Sequence, residues 1–341
     1  KYKYNKNIKN DDRILSGFKE ADWITFLGGK NNDVIKSIIV DDEDNIIIAG
    51  HTSSSDFAIT SDAFQKNLKG GYDLFISKFD KNYKLIWSTY LGGSGTEMML
   101  SICLDKNNNI WLTGESQSGN FPVTNNAFSK VHSGNSDVII SELSKDGKLV
   151  YSTFIGGGGY DCGSCIVADS NSNVYIVGRS ISNDFPVSIN AIKKTKGAWY
   201  AGILIKINTV NYDLYSTLIG YSNTIHNENI FAEGVTIDQN NNIIVCGFTN
   251  LDCVPVVNSK LQAGFNGKFD GYIIKFDKNF NILWSSYFGG SELDRIFNIG
   301  LDSDNNIYLL GYSTSNDLSL LNEFQTKNNG NVDGFLLKLT P

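Results

Sequence analysis

The chain has 341 residues, 41 % of them hydrophobic and 12 % aromatic, with a net charge of −7 and a pI near 5.0. An acidic surface argues against nucleic acid as a general partner, because phosphate binding needs a basic patch, and no run of about 18 apolar residues is present to span a membrane. With 33 glycines and only 4 prolines, the composition fits many short strands joined by tight turns.

The chain begins at Lys1, which reads as a mature or excised piece whose signal peptide is outside view. Residues 1–21 carry Lys1, Lys3, Lys6, Lys9, Arg13 and Lys19 with little apolar periodicity. A tail or linker is expected there, followed by a single domain over 22–341. The domain opens on Trp23-Ile24-Thr25-Phe26-Leu27-Gly28-Gly29, an aromatic that leads a short strand into glycine. The same landmark returns at Trp87, Tyr151, Tyr215 and Trp284, in steps of 64, 64, 64 and 69. Aspartates closing an apolar strand follow at Asp41, Asp105, Asp169, Asp238 and Asp302. Glycines ending the next strand follow at Gly50, Gly114, Gly178, Gly247 and Gly311, both sets in steps of 64, 64, 69 and 64. Three landmarks in one phase define a repeat, with five residues inserted between Tyr215 and Asp238.

Each repeat reads as four strands, which in the second are Leu100–Asp105, Asn109–Gly114, Asp137–Leu143 and Leu149–Ile155. Turns such as Asp105-Lys-Asn-Asn-Asn109 use residues that tolerate left-handed backbone. Near-continuous apolar strands (Ile38-Ile39-Val40, Ile46-Ile47-Ile48-Ala49) imply burial on both faces, as when blades stack. The last repeat stops after its third strand, Gly334–Leu339, and the chain start supplies an orphan fourth strand. The pattern therefore predicts an all-β, five-bladed β-propeller with four antiparallel strands per blade. The N-terminal strand, about 22–28, would complete the last blade and close the ring.

The pattern Trp87-Ser-Thr-Tyr-Leu-Gly-Gly-Ser-Gly, then Asp105, Gly114, Asn120-Phe121-Pro122 and Asp137, resembles the bacterial beta-propeller repeat (SBBP) family over about residues 22–340. Departures fall at Cys253-Val254-Pro255 and Asp317-Leu318-Ser319. The resemblance implies a secreted or cell-surface propeller and says little about chemistry.

A residue repeated in every blade serves the blade, and one that breaks the repeat is free for other work. Phe57, Phe121 and Phe185 are expected to pin the loop between strands two and three. The Asp-x-x-x-Asn turns lack the glycine and distal glutamate of a calcium loop, so turn chemistry is the expectation. Asp33, Glu97, Asp161 and Asp294 recur just before the first strand, with Ile230 in register in the fourth repeat. Each either caps its own loop or joins an acidic ring on the axis that takes calcium or another cation. The repeat breakers concentrate in the third and fourth units: Arg179, Trp199 and Tyr200, and Tyr221, His226 and Glu228 in the insertion. Exposed aromatics beside acids and an arginine suit carbohydrate or protein binding. His51, Glu115 and Tyr312, in register with Arg179, also vary freely. Cys162-Gly-Ser-Cys165 sits in no βαβ unit. Free thiols, a local disulfide and a metal site completed by His226 and Cys253 all stay open, and five cysteines form no disulfide framework.

The functional expectation is a non-enzymatic recognition or scaffold module, secreted or on the cell surface, that binds carbohydrate or a surface protein through the long-loop face. The alternatives are a structural coat or appendage component and a five-bladed carbohydrate hydrolase. The hydrolase would need catalytic acids that break the symmetry, whereas the ring acids obey it. No nucleophile–histidine–acid constellation is visible among His51, His132 and His226.

Overall fold

The structure is a computed structural model that describes residues 23–196, 199–220, 229–323 and 325–341. Its strands are β1 Asp33–Val40, β2 Ile46–Thr52, β3 Asp73–Phe79 and β4 Leu85–Leu91 in the first blade. The second blade holds β5 Glu97–Leu104, β6 Ile110–Ser116, β7 Asp137–Leu143 and β8 Leu149–Ile155. The third holds β9 Asp161–Ala168, β10 Asn173–Ser180, β11 Ala201–Asn208 and β12 Leu214–Ile219. β13 Ile230–Ile237, β14 Ile243–Thr249, β15 Asp270–Phe276 and β16 Ile282–Phe288 form the fourth, and β17 Asp294–Leu301, β18 Ile307–Ser313 and β19 Asp333–Leu339 the fifth. Each blade is an antiparallel meander, four-stranded in the first four and three-stranded in the last.

The repeat landmarks have local causes. Asp41 Oδ1 accepts the amides of Glu43 at 3.0 Å and Asn45 at 2.9 Å, and the turn needs a left-handed residue before Asn45. Asp44 (φ 62°), Asn108 (60°), Ser172 (65°), Asn241 (59°) and Asn305 (61°) fill that place in the five blades. Asp105, Asp169, Asp238 and Asp302 accept the equivalent amides, so these carboxylates are spent on backbone capping. The glycine ending strand two faces a bulge in strand one, which leaves Lys36, Ser164, Glu233 and Phe297 without a cross-strand partner. A Cβ on Gly50, Gly178, Gly247 or Gly311 would strike the carbonyl oxygen of Val34, Cys162, Phe231 or Arg295 across the ladder.

Blades stack by packing the first strand of one against the first three strands of the one before, β5 on β1–β3 and so on through β17 on β13–β15. Every residue of β3, β7 and β15 is buried, the polar Asp73, Asp137, Asp270, Lys78, Glu142 and Lys275 included. Phe57 packs on Phe75 at 4.4 Å between ring centroids and Phe121 on Phe154 at 5.9 Å, which holds the long loops to their blades.

The expected ring-closing strand is not formed. Residues 23–29 are not a strand, and the last sheet ends at β19. Trp23 instead stacks on Tyr83, in the β3–β4 turn of the first blade, at 4.8 Å. The two end faces are consequently open. Ile38 on β1 is 64 % exposed, whereas its equivalents Ile102, Ile166 and Val235 are 4 or 5 % exposed. Leu336 on β19 is 74 % exposed, whereas Ile76, Ile140, Leu204 and Ile273 are fully buried.

Candidate functional site

The four acids open the first strands β1, β5, β9 and β17, Glu97, Asp161 and Asp294 at separate blade junctions and Asp33 on the open end face. Each accepts the amide of the glycine four residues upstream: Asp33 from Gly29, Glu97 from Gly93 and Asp161 from Gly157 at 2.8 Å, and Asp294 from Gly290 at 2.7 Å. Serine hydroxyls from the long loop add to this, with Ser54, Ser182 and Ser315 donating to Asp33, Asp161 and Asp294. Glu97, Asp161 and Asp294 each face an acid from strand three of the preceding blade. Asp73 faces Glu97, Asp137 faces Asp161 and Asp270 faces Asp294 against the glycine that ends strand four, where a Cβ on Gly92, Gly156 or Gly289 would meet both carboxylates. Asp137, Asp161, Asp270 and Asp294 are fully buried, and one oxygen of each has no hydrogen-bond partner. Burial pushes Asp137 and Asp270 up to about 6, and the facing acid adds to it. At the third-to-fourth junction both members change together, to the buried pair Ala201 and Ile230. Among the described residues, no group of three or more His, Cys, Asp or Glu side chains is placed to hold a metal ion.

Half-buried charged and aromatic side chains gather where the first two strands of the later blades meet the long loops. Arg179 on β10 pairs with Glu233, the bulge residue of β13, at 3.4 Å. Its guanidinium also lies 5.9 Å from the ring of Phe231. Tyr200 packs on Phe231 at 5.1 Å, and the aromatic run continues through Phe248 at 4.6 Å to Phe269 and Phe297. Tyr312 meets Phe297 at 5.4 Å. Arg295 stacks over Phe248 at 4.7 Å and Phe269 at 4.8 Å. Burial pushes the Glu233 carboxyl up, with Arg179 and Arg295 pulling against it. Two arginines on six aromatic rings form a surface for stacking and charge-assisted hydrogen bonds.

Of the expected ligand residues, Arg179 and Tyr200 converge on Phe231. Trp199 precedes Tyr200 in the chain and is 63 % exposed. Tyr221, His226 and Glu228 lie outside the described residues. Tyr200 is less of an outlier than expected, because Tyr72 and Phe269 make the equivalent bridge to the next blade. Phe231, Glu233, Phe248, Arg295 and Phe297 escaped the sequence reading. The available signal was the position after the strand-two glycine, which holds His51, Glu115, Arg179, Phe248 and Tyr312, read together with its cross-strand partner. No disulfide joins the cysteines among the described residues, and Cys162, Cys246 and Cys253 are buried.

The beta-propeller repeat family (SBBP) matches four segments, 22–58, 86–122, 150–186 and 283–319. This is a beta-propeller repeat protein. The unmatched repeat is the one with the insertion and the apolar junction. The propeller is 25 % identical over 354 aligned residues to an uncharacterized WD repeat-containing protein of Acanthamoeba polyphaga mimivirus, an alignment covering 85 % of this chain and 25 % of that protein. The chain thus spans about a quarter of that relative's length. Among solved structures, a protein of unknown function from Dyadobacter fermentans aligns at 10 % identity, 86 % of this chain, 79 % of that one and a TM-score of 0.44. The extracellular domain of a putative one-component system from B. thetaiotaomicron aligns at 13 % identity, 83 % of this chain, 39 % of that one and a TM-score of 0.32.

Proposed function

We propose that this propeller is a non-enzymatic recognition or scaffold module, outside the cell or on its surface, that binds carbohydrate or protein through the long-loop face. The observation that carries the reading is the run of aromatic rings and arginines from Tyr200 and Arg179 to Arg295 and Tyr312, with Trp199 exposed beside it. Aromatic faces stack on sugar rings or side chains, and guanidinium groups add directional bonds. Catalysis of glycoside hydrolysis gains no support from the facing acids, which are buried and already hold backbone amides.

A glycan array probed with the full chain and with a Trp199→Ala, Tyr200→Ala variant tests the reading. Binding by the wild type that the variant loses supports a lectin-like module. No binding across the array points to a protein partner or a structural role.

We also infer that the ring closes in solution, β1 meeting the β17–β19 sheet. The support is that Trp23 already docks as a fourth-strand aromatic does. Trp23 sits on Tyr83 as Tyr151 sits on Tyr212 and Tyr215 on Phe280. Asp333, held by Gln325 at 2.6 Å as Asp73 is held by Gln65 at 2.7 Å, would then face Asp33.

A further inference from the structure

At the end of the blades that carries the β11–β12 and β15–β16 turns, a groove of about 760 Å³ opens between the third and fourth blades. Lys206 and Tyr215 of β11 and β12 line one side, with Asn190. Lys278, Phe280 and Asn281 of the β15–β16 turn line the other.

Two register positions here differ from the preceding junction. At the preceding junction the equivalent residues are Glu142 and Tyr212, and the Tyr212 hydroxyl donates to Glu142 Oε2 at 2.9 Å. Tyr212 also stacks on the fully buried Tyr151 at 4.3 Å. Between the third and fourth blades these positions are Lys206 and Phe280. A lysine and a phenylalanine cannot make that bond. Tyr215 still stacks on Phe280 at 4.3 Å, but both rings are only half-buried.

Lys206 is also released from the ion pair that its equivalents make. Lys78 pairs with Asp41 at 2.8 Å, Lys275 with Asp238 at 2.9 Å and Lys338 with Asp302 at 3.9 Å. In the third blade, Asp169 takes the Tyr175 hydroxyl at 3.1 Å and the Asn173 side-chain amide at 2.8 Å, as Asp302 takes Tyr308 and Asn306. The Lys206 ammonium lies over the Tyr175 ring, 5.6 Å from its centroid. It faces the same groove as the exposed Lys278, while the nearby Asp277 is engaged by the Asn279 and Asn281 amides.

We propose that this groove is a second binding site, for an acidic saccharide. Lys206 and Lys278 would hold the carboxylate, the Asn190 and Asn281 amides the hydroxyls, and the exposed edge of the Tyr215–Phe280 stack an apolar sugar face. Cavities of about 300–1,000 Å³ with a few convergent polar groups are the usual scale for such ligands. The groove shares no lining residue with the run from Arg179 and Tyr200 to Arg295 and Tyr312, so either can fail alone.

Calorimetric titration of the full chain with a galacturonic acid tetrasaccharide tests it, with maltotetraose and inorganic phosphate as separate arms. The acidic saccharide should bind and maltotetraose should not, and Lys206→Met should weaken binding by about tenfold or more. A Lys206→Glu, Phe280→Tyr variant restores the bond of the preceding junction. It should abolish binding while the protein stays folded, as read by circular dichroism, and the Trp199→Ala, Tyr200→Ala variant should bind as the wild type does. No binding of the acidic saccharide, equal binding of maltotetraose, wild-type affinity in Lys206→Met, or phosphate binding as tightly with the same Lys206 dependence would each overturn the assignment.

Discussion

Asp137 and Asp161, on strands of consecutive blades, meet across one junction against the Cα of Gly156, and one oxygen of each is buried without a partner. Two buried carboxylates in that position repel unless they hold a proton. Burial lifts Asp137 from 3.8 to about 6, so the folded state binds more protons than the unfolded state inside that window. Stability is therefore greatest below the unfolded value and falls as pH rises to about 6, by up to about 3 kcal/mol. Thermal melts across that range should flatten in Asp137→Asn. Replacing the pair with the apolar residues of the next junction, Asp137→Ala with Asp161→Ile, should raise the melting temperature at neutral pH. A wild-type slope in both variants would count against proton sharing.

Glu142 replaces the lysine that other blades use at its position, and Asp105 is its neighbour. Burial raises its carboxyl to about 7, with Asp105 adding to the effect and the Tyr212 and Asn109 hydrogen bonds opposing it. The sign is the same as for Asp137, with the window running from 4.5 to about 7. Glu142→Gln should remove this part of the pH dependence and stabilise the protein above about pH 7 by roughly 1–3 kcal/mol. Denaturant midpoints on either side of the window would measure it.

Ring closure predicts contact between Ile38 and Leu336, whose equivalents Ile102 and Ile76 share one buried core cluster. An Ile38→Cys, Leu336→Cys variant under mild oxidation should cross-link within a monomer, as read on a non-reducing gel. Cross-linked dimers or longer chains would mean that the end faces meet between molecules.

Five cysteines with no disulfide among the described residues predict five alkyl adducts by intact mass after denaturation without reductant. In the native protein, Cys162 and Cys246 should react slowly, because burial pushes their thiols up and the thiolate is the reactive form. Three adducts would reveal a disulfide.

The repeat was legible because every landmark answers a local backbone demand. Asp41 and its equivalents cap a turn, Gly50 and its equivalents clear a bulge carbonyl, and Gly92 and its equivalents clear a carboxylate pair. The candidate surface was half legible. Arg179 and Tyr200 stood out as breaks in the repeat. Phe231 and Arg295 did not, because they reach the site from the partner strand of a ladder, and Glu233 did not, because a bulge aims it there.

The sequence by itself determined the number of blades, their strands and their turns, since spacing and turn chemistry act within one repeat. Only the tertiary structure decided which acid faces which. Asp137 and Asp161 are 24 positions apart in the chain and belong to different blades, and Lys206 and Phe280 are 74 apart. Blade packing brings each pair to one junction. Whether a junction carries facing acids, apolar side chains or an open groove depends on two residues that no local rule connects.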